Sequence, residues 1–87
     1  MSLADDFTGA QERVKKLSRT PANDDLLQLY ALYKQGVAGD VSGKKPGMLD
    51  IKARAKYGAW SSVKGLSRDE AMQRYVDLVA RLVSQDT

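Results

Sequence analysis

At 87 residues, 43% hydrophobic and 29% charged with a net charge of +3, the chain has material for one small domain with a modest core. It has no cysteine and no histidine, which excludes disulfides, thiol chemistry, zinc sites built on those ligands and a histidine general base. Any catalysis would rest on carboxylates, lysines, tyrosines or serines, and no nucleophile–base pair stands out among them, so an enzyme is the least expected class.

The first apolar series, Leu3, Phe7, Ala10, Val14 and Leu17, steps by four and three residues, which is helical spacing. Proline disfavours helix in the residue before it, so Thr20-Pro21 ends this element, near Ser18. The N-terminus is acidic, without the basic start and apolar run of a signal peptide. No segment approaches the ~20 apolar residues of a membrane span. A soluble, cytoplasmic protein is expected.

A second helix follows, with Asn23 as its N-cap and Asp24 and Asp25 at the positive end of its dipole. Leu26, Leu29, Tyr30, Tyr33 and Val37 form its stripe, and Gly36 and Gly39 weaken its C-terminal end. Gly39 to Gly47 holds three glycines and a proline with no helical or strand period, and reads as a long ordered loop. The third helix is expected from Met48 to Val63, with Ile51, Ala55, Ala59 and Val63 on one face, Trp60 assigned to the core and Gly65 as its stop. Ser67 and Glu70 form a capping box that opens a fourth helix. Ala71, Tyr75, Leu78, Val79 and Leu82 are its apolar face. Residues 1–87 thus read as a single all-α domain of four helices. A short first link favours antiparallel neighbours and the long loop permits a crossover, giving an up-down-down-up four-helix bundle.

Charge is unevenly spread. Residues 34–68 carry eight basic side chains against two acids, a net +6, while the remainder nets −3. Such a segment suits an anion, or is simply a solvated basic face. Across its N-terminal edge Tyr30, Tyr33 and Lys34 stand at i, i+3 and i+4, and within it Lys52 and Lys56 stand at i and i+4, spacings that share a helix face. Rings beside ammonium groups suit a ligand with both a ring and phosphates. Taken alone, however, a tyrosine on a helix stripe is more often core, and Lys52, Arg54 and Lys56 more often a solvated face. Asp50 and Glu70 are better explained as helix-start acids than as catalytic carboxylates.

The strings Tyr30-Ala31-Leu32-Tyr33-Lys34-Gln35, Gly39-Asp40, Pro46-Gly47-Met48-Leu49-Asp50, Lys52-Ala53-Arg54-Ala55-Lys56 and Ala59-Trp60 together closely resemble the acyl-CoA-binding protein family. Phe7, Val14 and Leu17 ahead of Pro21-Ala22, and Asp69-Glu70-Ala71-Met72 ahead of Tyr75, extend the resemblance over essentially the whole chain. The resemblance implies a skewed up-down-down-up bundle. It also implies non-catalytic binding of medium- to long-chain fatty acyl-CoA thioesters, one ligand per domain, by an intracellular carrier and pool former. Tyr30, Lys34 and Lys56 match the positions that hold the ribose 3′-phosphate, and Tyr33 the ring against the adenine. Tyr75 and Lys52 match positions contacting the ligand, Tyr75 at the CoA head, and Lys15 matches a basic position near it. Phe7, Leu26, Leu27 and Ala55 fall where the acyl chain would pass. Tyr57 and Ile51 depart from a common Trp and a frequent Phe, which bears on the acyl groove and not on the phosphate pattern. The resemblance implies no cofactor, a monomer, and partners limited to acyl-CoA and, transiently, acyl-CoA-using enzymes or membranes.

Two other classes fit parts of the sequence. The basic middle third permits a nucleic-acid-binding helical module, although a nine-residue Gly/Pro loop between the second and third helices leaves no helix-turn-helix spacing. A protein-interaction module would bind no small molecule at all.

Overall fold

The structure, a computed structural model, describes residues 2–86 and contains four helices: α1 (Leu3–Lys15), α2 (Asn23–Ala38), α3 (Ile51–Ser62) and α4 (Arg68–Gln85). No strand occurs among the described residues.

Paired contacts fix the helix directions. Asp25 reaches Arg81 and Gly36 lies beside Met72, so residue numbers rise along α2 as they fall along α4, and the two are antiparallel. Phe7 packs on Tyr75 and Ser18 bonds Asp86, so α1 runs parallel to α4. Lys56 lies over Tyr30 and Lys34 over Trp60, so α3 runs parallel to α2. The result is up-down-down-up, as the sequence implied. The close helix pairs are α1 with α4, α2 with α4, and α2 with α3. The short link therefore does not make α1 and α2 close neighbours: both lie on α4, and the Phe7 ring bridges to Tyr33.

Helix ends follow local chemistry. Ser2 caps α1 by accepting the Asp5 N–H, and Asp50 caps α3 by accepting from Ala53. Ser67 accepts the Glu70 N–H at 3.0 Å, while Glu70 returns to the Ser67 hydroxyl at 3.2 Å rather than to its backbone N–H. Asn23 is not a cap. It is the first helical residue of α2, and Ala22 precedes it without a side-chain cap. The third helix begins at Ile51 rather than Met48, because the Asp50 cap sets its start.

The core joins Phe7 and Ala10 of α1, Leu29 and Leu32 of α2, and Ala71, Tyr75, Leu78, Val79 and Leu82 of α4. Each large apolar side chain buried here contributes about 1.5–3 kcal/mol. The α4 face is buried as expected. The α2 stripe is not: Leu26, Tyr33 and Val37 stay more than a third exposed, and Leu29, Ala31, Leu32, Gln35 and Gly36 are buried. The buried set is rotated because α2 is covered from two sides, by α4 and by α3. Gly36 is correspondingly a contact point and not a weak end. A Cβ there would lie 3.1 Å from Met72 Cγ and 3.4 Å from Phe7 Cζ. The expected α3 face also fails at its start, where Ile51 is 78% exposed; Trp60 is the buried residue of this helix.

Candidate functional site

The parallel register of α2 and α3 sets two residue pairs facing one another. Tyr30 and Lys34 lie one turn apart on α2, and Lys56 and Trp60 one turn apart on α3. Lys56 Nζ stands 5.5 Å from the Tyr30 ring centroid, and Lys34 Nζ 4.9 Å from that of Trp60. Each cation–π contact is worth about 0.5–1 kcal/mol at an exposed site. Their larger effect is to hold two ammonium groups along one seam.

Toward the N-terminal ends of the same helices the seam opens into a groove of about 380 Å³, lined by Asn23, Leu26, Leu27, Ile51, Lys52, Ala55 and Lys56. Its walls are mostly apolar and its margin is basic. Across α3, a second recess of about 430 Å³ is bounded by Lys45, Arg54, Tyr57 and Gly58 and shares Ile51 and Ala55 with the first.

Tyr33 belongs to a third feature. Its ring centroid lies 6.0 Å from that of Phe7 and 6.5 Å from that of Tyr75, and Phe7 meets Tyr75 edge-on at 5.0 Å. Phe7 and Tyr75 are buried, and Tyr33 is 38% exposed. The exposed ring is thus backed by two fixed ones, which makes it a firm surface for a planar group. Burial, and secondarily Tyr33, raises the Tyr75 pKa above the ordinary tyrosine range.

Five of the candidate site residues named from the sequence therefore line one groove, Leu26, Leu27, Lys52, Ala55 and Lys56, and Tyr30 lies beneath Lys56 at its edge. Tyr33 and Tyr75 meet in the aromatic triad, and Lys34 sits over Trp60. Phe7 does not line the groove; its ring is in the core. Lys15, at the end of α1, lies outside the groove with its ammonium 3.8 Å from Glu12.

Sequence periodicity carried no sign of the bracing that holds the seam. Gln35, fully buried, donates to Asp40 Oδ1 at 2.8 Å and to the Leu66 carbonyl at 2.9 Å, and Gly65 N–H donates to the same Asp40 oxygen. These bonds, chiefly that from Gly65 and then that from Gln35, hold the Asp40 carboxyl below the usual carboxylate range. Trp60 Nε1 donates to the Gly39 carbonyl at 2.9 Å, which ties α3 to the end of α2. Gly39 has φ +83, where a residue with a Cβ is strained. Among the described residues no group of three or more acidic, histidine or cysteine side chains could hold a metal ion.

Comparison with known proteins bears on what this seam serves. The family model described as "Acyl CoA binding protein" matches residues 4–79. The chain is 48% identical over 86 residues to the acyl-CoA-binding protein of Brassica napus, covering 99% of this chain and 94% of the relative. It is 49% identical over 79 residues to acyl-CoA-binding protein homolog 1 of Caenorhabditis elegans, covering 91% and 92% respectively. The crystal structure of Oryza sativa acyl-CoA-binding protein 2 superposes with a TM-score of 0.93 at 39% identity, covering 97% of this chain and 93% of that one. On matched sequence, helix order and helix direction together, the chain belongs to the acyl-CoA-binding protein family.

Proposed function

We propose that this protein binds medium- to long-chain fatty acyl-CoA thioesters without transforming them, as an intracellular carrier and pool former. The observation that carries this reading is the α2–α3 groove, where apolar walls from Leu26, Leu27 and Ala55 run beside Lys52, Lys56 and the Tyr30 ring. A thioester with a long apolar tail and a phosphorylated head needs that combination. Lys34 and Lys56 supply compact charges for the 3′-phosphate and the Tyr30 hydroxyl a directed hydrogen bond. Tyr33, backed by the triad, stacks on the adenine, and the neutral Tyr75 phenol, Lys52 and Lys15 serve the rest of the head. Family membership supports acyl-CoA binding and offers nothing for the nucleic-acid-binding module that the charge distribution left open.

The carrier acts as a cytoplasmic monomer, exchanging its cargo transiently with acyl-CoA-using enzymes or membranes, and needs no cofactor. Each buried methylene contributes about 0.8 kcal/mol, so tail burial ranks the ligands and the head admits only CoA esters. Calorimetric titration with CoA, octanoyl-CoA, palmitoyl-CoA and palmitate tests this. Affinity should climb from CoA to octanoyl-CoA to palmitoyl-CoA, and palmitate should bind poorly. Equal or absent binding across the four would overturn the reading.

A further inference from the structure

Met48 and Leu49, just before α3, have no place in the site just described. Met48 is 80% exposed, Leu49 98% and Ile51 78%, so three large apolar side chains within four residues project from the surface. Such a cluster on a folded monomer marks an interaction surface. Met48 and Leu49 lie outside any helix, and neither lines either of the two recesses beside α3.

Their surroundings are basic. Residues 41–64 hold six basic side chains (Lys44, Lys45, Lys52, Arg54, Lys56, Lys64) and one acid, Asp50. That acid is engaged in accepting the Ala53 N–H. Lys45 and Arg54 border Ile51 on one side of α3, and Lys52 and Lys56 on the other. An apolar tip inside a ring of cations is complementary to an anionic bilayer, where the side chains enter the acyl boundary and the ammonium groups stay among the headgroups. A second copy of this chain would bring like charges together.

We propose that Met48, Leu49 and Ile51, with Lys44 and Lys45, form a docking tip for anionic phospholipid membranes. The proposal deepens the carrier reading and rests on it in one respect. Ile51 lines the groove assigned to the acyl chain, so a docked tip turns that groove toward the phase in which acyl chains partition. Insertion is confined to the depth of these three side chains, and no helix among the described residues is long and apolar enough to cross a membrane.

The test is co-sedimentation with phosphatidylcholine–phosphatidylserine vesicles and with pure phosphatidylcholine vesicles, without acyl-CoA. The wild-type chain should sediment with the mixed vesicles, weakly with the neutral ones, and less at high salt. Met48→Ser with Leu49→Ser should lower partition by roughly tenfold or more. Lys44→Gln should lower it by about fivefold. Both variants should keep the far-UV circular dichroism spectrum and the lipid-free calorimetric affinity for palmitoyl-CoA. Leu49→Trp should give a blue-shifted emission component on mixed vesicles, above the constant signal of buried Trp60. Absence of wild-type sedimentation with mixed vesicles, or equal sedimentation of the serine pair, overturns the docking tip while calorimetry still reports on the carrier reading. Loss of self-association by the serine pair in sedimentation velocity, with vesicle binding unchanged, assigns the tip to a second copy and overturns it as well.

Discussion

Ala55 offers the sharpest probe of where an acyl chain lies. It lines both recesses beside Ile51, on an exposed face of α3. Ala55→Leu replaces a methyl by an isobutyl group inside the groove. Leucine is close to alanine in helix propensity, so the helix itself loses little. Displacing about three methylenes of a bound chain, at about 0.8 kcal/mol each, removes about 2.4 kcal/mol, or close to 60-fold in Kd. The loss should appear in calorimetric titration with palmitoyl-CoA, shrink with octanoyl-CoA and vanish with CoA, while the thermal midpoint stays near that of the wild type. An equal loss for CoA and palmitoyl-CoA would mean that the leucine disturbs the head site. An unchanged palmitoyl-CoA affinity with the fold intact would mean that the tail does not pass Ala55, and the groove assignment would be refuted.

Three further outcomes follow from the geometry. Lys56→Met keeps the apolar stem over Tyr30 and removes the charge, so acyl-CoA affinity should fall by about 1.5–3 kcal/mol; an equal fall for the 3′-dephospho ester would disprove the phosphate assignment. The Asp40 carboxyl, bonded by Gly65 and Gln35, and the Asp86 carboxyl, bonded by the Ser18 hydroxyl and N–H, both have pKa values below the ordinary range. Their stabilisation is therefore present above the unfolded value of about 3.9 and lost as pH falls through the depressed folded values. The urea midpoint should drop over that acid window, and an unchanged drop in Asp40→Asn with Asp86→Asn would count against these bonds. Glycine-to-alanine changes should differ in sign within one chain. Gly58 has open space where a Cβ would go, so Gly58→Ala should stabilise by about 0.5–1 kcal/mol. Gly36→Ala gains the same helical term but presses on Met72 and the buried Phe7 ring, and overpacking of about 1–3 kcal/mol should make it net destabilising. Thermal denaturation reads both, and a shared sign would show that the α2–α4 contact is looser than described.

The parts of the fold legible in the sequence are those where one face meets one neighbour. The α4 face, Ala71, Tyr75, Leu78, Val79 and Leu82, is buried as its period predicts. On α2 the period misleads, because two neighbours bury two faces and a single stripe cannot describe them. Ala31 and Gly36 are buried while carrying little apolar signal, and Tyr33 carries a strong one and stays partly exposed. At the site, Tyr30 with Lys34 on one helix, and Lys52 with Lys56 on another, were legible as face-sharing pairs, since i, i+4 spacing is local. That Lys34 would stand over Trp60, and Lys56 over Tyr30, depends on the parallel register of two helices joined by a long loop. No local spacing encodes that register. The Gln35–Asp40–Leu66 bracing is invisible for the same reason: its partners are five and 31 residues apart, outside any helical period.

The uneven anchoring of α3 lets one helix serve both parts of the proposed ligand. Among the helices α3 packs closely on α2 alone, and its buried residue lies in its C-terminal half, where Trp60 bonds the Gly39 carbonyl. That half faces Lys34, which belongs to the proposed head site and needs fixed geometry. The N-terminal half carries exposed Ile51 and Ala55, which wall the proposed tail groove, and the head-site lysines Lys52 and Lys56, of which Lys56 is held over the Tyr30 ring of an α2 packed on α4. A head-group site gains from rigidity, because charge-assisted hydrogen bonds weaken steeply with misalignment. A methylene chain has no such directional demand, since its contribution scales with buried area. One helix, pinned at Trp60 and held at Lys56 over the Tyr30 ring, can therefore fix a constant head while its exposed Ile51 and Ala55 accept tails of differing length.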